Sequence, residues 1–375
     1  MYGKWVVFGV AVALSLALAF GAFYYGFPGI NRPTSNPWPT FSHDSHRSGS
    51  TWGANPDITK LSWRFRTGGP VTSAPAVVDG VVFFGSWDNY FYSLNAQDGS
   101  LVWRFETGGN VTSSPTVSEG LVYFGSYDSF VYCLDAENGN LTWRCRTGGS
   151  IISSPAVVDG KVYIGSLDTY LYCIGAQNGE IVWKFKTEGS VYSSPAVADG
   201  SVFFGSEDRF VYSLSAEGGR MNWKYETGGT LVYSPSVVDG SVYFGSLDGF
   251  VYCLNATGGD LNWKYETGDW VHASPAVAGG NVFIGSSDSY LYALSAANGS
   301  LLWKYQTGDA IAASQAYVNG RVYTGSDDWC VYVVDAGTGE VLARYKTDFE
   351  ICSSPAIVDG ILYIGSDDYY VYALG

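Results

Sequence analysis

Basic residues are scarce in this chain of 375 residues: 20 Lys and Arg stand against 35 Asp and Glu, a net charge of −15. A surface of that sign argues against nucleic acid and anionic lipid as partners. Histidine is scarcer still. His43, His46 and His272 are the only three, and the first two lie far from the third in the sequence, so no histidine-based metal centre is spelled out. Nor is there a nucleophile, base and oxyanion set that would support hydrolysis. Helical periodicity is missing after residue 30, which removes helical bundles and α/β folds from consideration.

Repetition is what the chain has in excess. Trp63, Trp103, Trp143, Trp183, Trp223, Trp263 and Trp303 fall forty residues apart, with Ala343 in the eighth slot. Asp88, Asp128, Asp168, Asp208, Asp248, Asp288, Asp328 and Asp368 form a second ladder without exception, each following a Gly-Ser pair. Such a period marks units that bury their apolar faces against their neighbours. In the unit of residues 71–106, four short runs rich in Val, Tyr, Phe and Trp alternate with Asp-Gly and similar turns, whose positive φ suits tight hairpins. They predict strands A (residues 73–78), B (81–85), C (90–94) and D (101–106). Eight four-stranded antiparallel meanders of this kind predict an all-β, eight-bladed β-propeller. A D-type run at residues 61–66 precedes the first A run, while the last run, near residues 371–374, is C-type. Pairing the two completes the last blade and closes the ring.

The pattern S-S-P-A-V-x-D-G-x-V-Y-x-G-S-x-D-x-Y-x-Y-x-L-x-A-x-x-G-x-x-x-W-x-x-x-T-G, present with small departures at residues 153–189, resembles the PQQ-like repeat family. Residues 38–49, Trp-Pro-Thr-Phe-Ser-His-Asp-Ser-His-Arg-Ser-Gly, are similar to the lead-in segment of exported members, so the likeness covers residues 38–375. It implies the quinoprotein-type propeller shared by quinoprotein dehydrogenases, the lipoprotein of the outer-membrane barrel-assembly machinery and many surface proteins. One such fold hosts many roles. The dehydrogenases carry long insertions between blades, a catalytic Asp with a calcium shell, and usually an adjacent-cysteine disulfide. Here the spacing is forty residues throughout, and none of Cys133, Cys145, Cys173, Cys253, Cys330 and Cys352 is adjacent to another. No catalytic residue, cofactor or metal is therefore expected.

Residues 5–31 carry no charged side chain. As a helix, residues 5–27 would be about 34 Å long, enough to cross a bilayer. Lys4 favours an inside N-terminus. Residues 1–27 are expected as an apolar helix that anchors the protein outside the cytoplasm, or as a signal peptide cut near Ala19-Phe20-Gly21, which would secrete it. No cysteine lies nearby to carry lipid. Residues 28–60, rich in Pro, Ser, Asn and Gly, are expected as a stalk and lead-in, and 61–375 as a monomeric propeller that meets the membrane only through the helix.

A repeat supplies its own control: positions fixed across blades serve the fold, and positions that break the pattern are free to serve a site. The ladder Asp residues fit turn-holding roles and the Trp residues interblade packing. The basic residue after each Trp slot fits a guard on the outer edge strands. Cys133, Cys173 and Cys253 share a strand-C slot filled elsewhere by Ser93, Ser213, Ala293, Val333 and Ala373, a small buried position. Cys330 and Cys352 lie in adjacent blades and either bond or stay reduced. Strand alternation puts the D–A and B–C loops on one axial face, where the blades differ most. There the candidate binding residues are Trp87, Tyr127, Arg209, Trp270, His272, Asp327, Trp329 and Glu350, aromatic and charged anchors on a rigid scaffold. Gln315, in place of Pro, and Ala343 add to the exceptions in the later blades. Loop drift in a terminal repeat is the rival reading. Four sequons, at Asn110, Asn140, Asn255 and Asn298, are compatible with surface glycosylation. Together these features predict a non-catalytic, extracytoplasmic cell-surface scaffold that binds a protein or extended polymer. The alternative is a quinone-binding oxidoreductase or sensor of the quinoprotein type, and a self-associating surface layer is a third.

Overall fold

The computed structural model describes residues 37–375. The first blade is built from strands A (Ala76–Val78), B (Val81–Gly85), C (Tyr90–Asn95) and D (Leu101–Glu106), each hydrogen-bonded to the next. Its A–B hairpin turns at Asp79 and Gly80, both at positive φ (50° and 75°), the pairing a tight twisted hairpin favours. Seven further blades repeat the plan, which makes the expected eight-bladed propeller of four-stranded antiparallel sheets. The last blade, Ala356–Val358, Ile361–Gly365 and Tyr370–Leu374, takes Leu61–Arg66 as its D strand, with Trp63 opposite Ala373 and Phe65 opposite Val371. Ring closure is thus as expected. Among the described residues there is no helix, and the expected helix over 1–27 lies outside them.

Strands B and C are buried on both faces, while D alternates, because blades pack face to face and D forms the rim. The ladders hold the blades together. Trp103, Trp143 and Trp263 each donate their indole N–H to an alanine carbonyl of the next blade, at Ala136, Ala176 and Ala296. The indole lies flat on that blade's C–D turn glycine: a Cβ at Gly139 would sit 2.7 Å from the Trp103 ring. Each ladder Asp accepts several bonds. The Asp128 carboxylate takes the Gly108 N–H (2.7 Å), the Tyr132 hydroxyl (2.7 Å) and the Phe130 N–H (3.0 Å), tying the loop from the preceding blade to its own turn. The D-strand cations cover aromatic rings that start strand C, as Arg104 over Tyr90 at 4.5 Å and Lys224 over Phe210 at 4.0 Å. All six cysteines are free thiols, Cys330 and Cys352 included.

The A strands line the axis, joined near the loop face by a serine belt. From Ala74 to Ser314, each of these residues donates its N–H to the serine hydroxyl forty residues on, at 2.9–3.2 Å. Below the belt, the inner edge of an A strand would leave N–H groups unpaired, a cost that requires a partner. The lead-in supplies it. Carbonyls of Trp38, Pro39, Ser45, His46, Ser48 and Gly49 accept from Val77, Val117, Val197, Val237, Val277 and Tyr317, and Ser50–Thr51 runs parallel to Ala316–Val318. The segment read from sequence as stalk and lead-in is therefore, over residues 37–51, an axial plug packed inside the ring; residues 28–36 lie outside the described part. Arg47 anchors the plug. Wholly buried, it donates to the carbonyls of Phe41, Ser154, Pro155 and Pro195 and to Thr40 Oγ1, and burial lowers its guanidinium to about 9.

Ala343 owes its place to the closure. Its neighbouring blade receives strand D from Leu61–Arg66, so the usual C–D turn is replaced there by Asn55 to Thr59, and Gly375 N–H bonds Lys60 O. Among Asn55 to Thr59 there is no alanine or glycine on which an indole could lie. Fully buried Ile58 enters the same core cluster instead.

Candidate functional site

Loop-face residues begin with a backbone rule. In every blade the residue before the ladder Asp donates its N–H to a carbonyl within the D–A loop, as Asp327 to Ala310 and Asp367 to Glu350. This pins slots 327 and 367, with 350 and 352, around the inner mouth of the ring. The residue after the ladder Asp is held at positive φ in all eight blades, including Arg209 (73°), Trp329 (73°) and Tyr369 (74°). Its carbonyl takes both the N–H and the hydroxyl of the threonine that ends strand D, as Trp329 O from Thr347. That slot therefore faces the outer rim.

The eight candidates divide accordingly. Arg209 sits at the rim and pairs with Glu226 at 3.5 Å. Trp329 stacks on Phe349 with ring centroids 5.8 Å apart, and Lys346 lies 5.3 Å from its centroid. Trp87 and Tyr127 hold the same mouth slot as Asp327 and Asp367, on the first and second blades, where both are exposed and the Trp87 indole donates to Thr72 Oγ1. The other four lie on the loops of the sixth to eighth blades. Trp270, 52% exposed, packs on His272 at 5.5 Å, and His272 packs at 5.5 Å on Tyr233. Asp327 faces Glu350, Asp309 and Asp367, and Cys352 Sγ lies 4.0 Å from its Oδ1. Glu350, Cys352 and Asp367 place ligand atoms within 4.8 Å of one another, the one such metal-capable set among the described residues.

Tyr233 links the two halves. Its slot holds Ser73, Ser113, Ser153, Ser193, Ala273, Ala313 and Ser353 elsewhere, so only this side chain is long enough to reach across the mouth. Burial, with Cys352 and Asp327 nearby from three and two blades away, pushes its hydroxyl up to about 12. Tyr233 and Asp367 complete the cluster; neither was among the sequence candidates, although Tyr233 breaks a Ser/Ala slot and Asp367 repeats the acid of Asp327 in a variable one.

Electrostatically the mouth is frustrated. Burial, with Glu350 and the neighbouring aspartates, raises Asp327 to about 6, and burial with Glu350 raises Asp367 to about 6. Asp367 Oδ1 is buried without a hydrogen-bond partner. Burial also raises the Cys352 thiol well above its usual range and lowers His272, which is therefore neutral at pH 7. Three carboxylates, a neutral thiol and a stack of rings form a mouth suited to a cation: charge attracts it and aromatic faces accept it.

The match with known proteins is strongest at the level of fold. A family model described as the beta-propeller of the beta-alanine-activating enzyme matches residues 45–238 and again 158–336, the overlap reflecting the repeat. No curated protein is similar to this chain in sequence. Among solved structures, BamB from Moraxella catarrhalis superposes with a TM-score of 0.72 at 17% identity, covering 84% of this chain and 98% of its own. The computationally designed Ika8 protein gives 0.75 at 18%, covering 82% and 97%. The quinohemoprotein alcohol dehydrogenase from Comamonas testosteroni gives 0.78 at 15%, covering 91% and 80%. A pyrroloquinoline quinone, the cofactor this fold implies, is itself a polycarboxylate. The mouth does not fit it: Asp327, Glu350 and Asp367 would repel its carboxylates, and Arg209 is spent on Glu226 at the rim.

Proposed function

We propose a function from the premise that the chain belongs to the beta-propeller family described for the beta-alanine-activating enzyme: it is a non-catalytic binding scaffold whose loop face captures a cationic group presented by a protein or extended polymer. The observation that carries this reading is the pair Asp327 and Asp367, both raised to about 6 beside Glu350, with Tyr233 near Asp327 and packed in turn on His272 and Trp270. A lysine or arginine side chain would pair with the carboxylates and stack on the rings, relieving the repulsion among Asp327, Glu350 and Asp367. The net charge of −15 favours such a partner at longer range.

The same geometry bears on how the protein is presented. The described chain starts at residue 37, on the face of the A–B turns, where Pro37 and Pro39 line a cavity with His43 and Val117. If residues 1–27 anchor the protein, the connector of residues 28–36 spans at most about 30 Å. The turn face then looks toward the membrane and the loop face away from it, outside the cytoplasm.

Crosslinking and pull-down from the native membrane tests the scaffold, with wild type compared with Trp270→Ala and Asp327→Asn. Loss of one partner from both variants, with that partner's basic peptide binding the wild type saturably, is the expected result. Equal recovery from all three would remove the patch, and saturable binding of pyrroloquinoline quinone with calcium plus dye-linked alcohol oxidation would replace the scaffold by the oxidoreductase reading.

A further inference from the structure

The closure seam between the seventh and eighth blades carries a second, independent site. At three ordinary junctions one alanine carbonyl accepts two bonds: Ala176 O from the Trp143 indole (2.8 Å) and the Tyr123 hydroxyl (3.3 Å), Ala216 O from Trp183 and Tyr163, and Ala96 O from Trp63 and Tyr363. The two rings lie 5.8–5.9 Å apart, tilted by about 50°. At the seam the tyrosine is kept and the indole is not. Tyr323 donates its hydroxyl to Asn55 Oδ1 at 3.3 Å, so the side-chain amide stands where the alanine carbonyl would be. An amide oxygen accepts two bonds, and the second is the one an indole takes at the other junctions.

The space is also there. A half-open cavity of about 420 Å³ is lined by Asn55, Ile58, Arg321, Val333, Leu342 and Ala343, among others. Val333 and Ala343 face each other across strands C and D, as Cys173 and Trp183 do in an ordinary blade. We infer that this cavity binds an indole ring of a small molecule, edge toward Tyr323 and N–H toward Asn55 Oδ1, in the place that seven of the chain's own tryptophans fill elsewhere. The site lies at the turn face and does not depend on the loop-face reading.

The test titrates indole into the full-length chain by calorimetry and ligand-observed NMR, because thirteen tryptophans mask a fluorescence signal. Expected are saturable one-to-one binding to the wild type, at least tenfold weaker binding to Ala343→Trp, whose own indole fills the slot, and roughly fivefold weaker binding to Asn55→Ala, the scale of one lost hydrogen bond. The melting temperature of Ala343→Trp reports that it is folded; should it misfold, Asn55→Ala decides. N-acetyl-tryptophanamide run alongside identifies the source: weaker binding than free indole supports a small-molecule ligand, whereas tighter binding overturns that assignment in favour of a peptide side chain. Absence of saturable indole binding to the wild type, or equal binding by a folded Ala343→Trp, overturns the site.

Discussion

Replacing Asp327 by Asn should stabilise this protein, and the gain should depend on pH. In the fold the carboxyl is raised from 3.8 to about 6 by burial and by Glu350, Asp309, Asp367 and Asp328. That is about two pH units at ~1.4 kcal/mol each. The group is only partly buried and water screens it, so about 1 to 1.5 kcal/mol is a fair fraction to assign. The folded state binds more protons than the unfolded one between pH 3.8 and 6. Stability therefore falls as pH rises through that window, and the full cost is present at pH 7. Asparagine keeps the shape and discards the charge. Scanning calorimetry of both proteins from pH 3.5 to 7.5 should show no difference at the acid end and a variant melting roughly 1.5–2 °C higher at pH 7, because an unfolding entropy of about 2.1 cal/mol/K per residue makes 1 kcal/mol worth about 1.4 °C in a ring of this size. Millimolar spermidine should raise the wild-type melt at pH 7 and move the variant less. A pH-independent difference, or a variant less stable at pH 7, would refute the claim that the mouth holds its carboxylates at a cost.

Three further outcomes follow from the ring itself. Deleting residues 61–66 removes strand D of the last blade and with it the closing register opposite Tyr370–Leu374; thermal melting should drop by tens of degrees or become non-cooperative, and an unchanged melt would contradict closure by this strand. Arg47→Met should destabilise by about 4 kcal/mol, since it strands the Phe41, Ser154 and Pro195 carbonyls inside the axis at roughly 1–3 kcal/mol each; urea unfolding measures it, and a loss below about 1 kcal/mol would mean the plug is dispensable. Trp303→Ala, which empties an interblade slot and frees Ala336 O, should cost about 3–5 kcal/mol in the same assay.

The ring was legible because its determinants are local and repeated eight times. Strand alternation, Asp-Gly turns and the two ladders each state the same geometry, and the displaced D-type run at residues 61–66 states the closure. The axial plug was not legible. Residues 38–51 have the polar, turn-rich composition of a stalk, and what orders them is a set of unpaired backbone edges contributed by six distant blades. Composition reports whether a segment has a core of its own; it is silent on whether another element's edge requires a partner. Even so, one residue pointed inward: Arg47 stands in a stretch otherwise rich in Ser, His and Gly, and a lone guanidinium suits converging carbonyls.

At the loop face, slot comparison located the variable residues without saying which of them meet. Trp329 and Arg209 break their slot as visibly as Asp327 breaks its own, yet positive φ turns theirs to the rim while the backbone bond from the D–A loop holds the other at the mouth. Side-chain length mattered as much as type: Tyr233 joins the cluster because a phenol reaches across an opening that serine leaves clear. A break in a repeat thus has two separable causes. Where the broken position faces a partner that the repeat still provides, as at Tyr233, Asp327 and Asp367, nothing in the architecture demands the change, and a ligand is the economical explanation. Where the usual partner has been replaced, as beside Ala343, the change follows from the closure, although slot comparison alone counted it among the exceptions. The two causes meet at the seam, since Asn55 restores the acceptor that closure removed while the indole stays missing, so a position explained by architecture still leaves a pocket of defined chemistry.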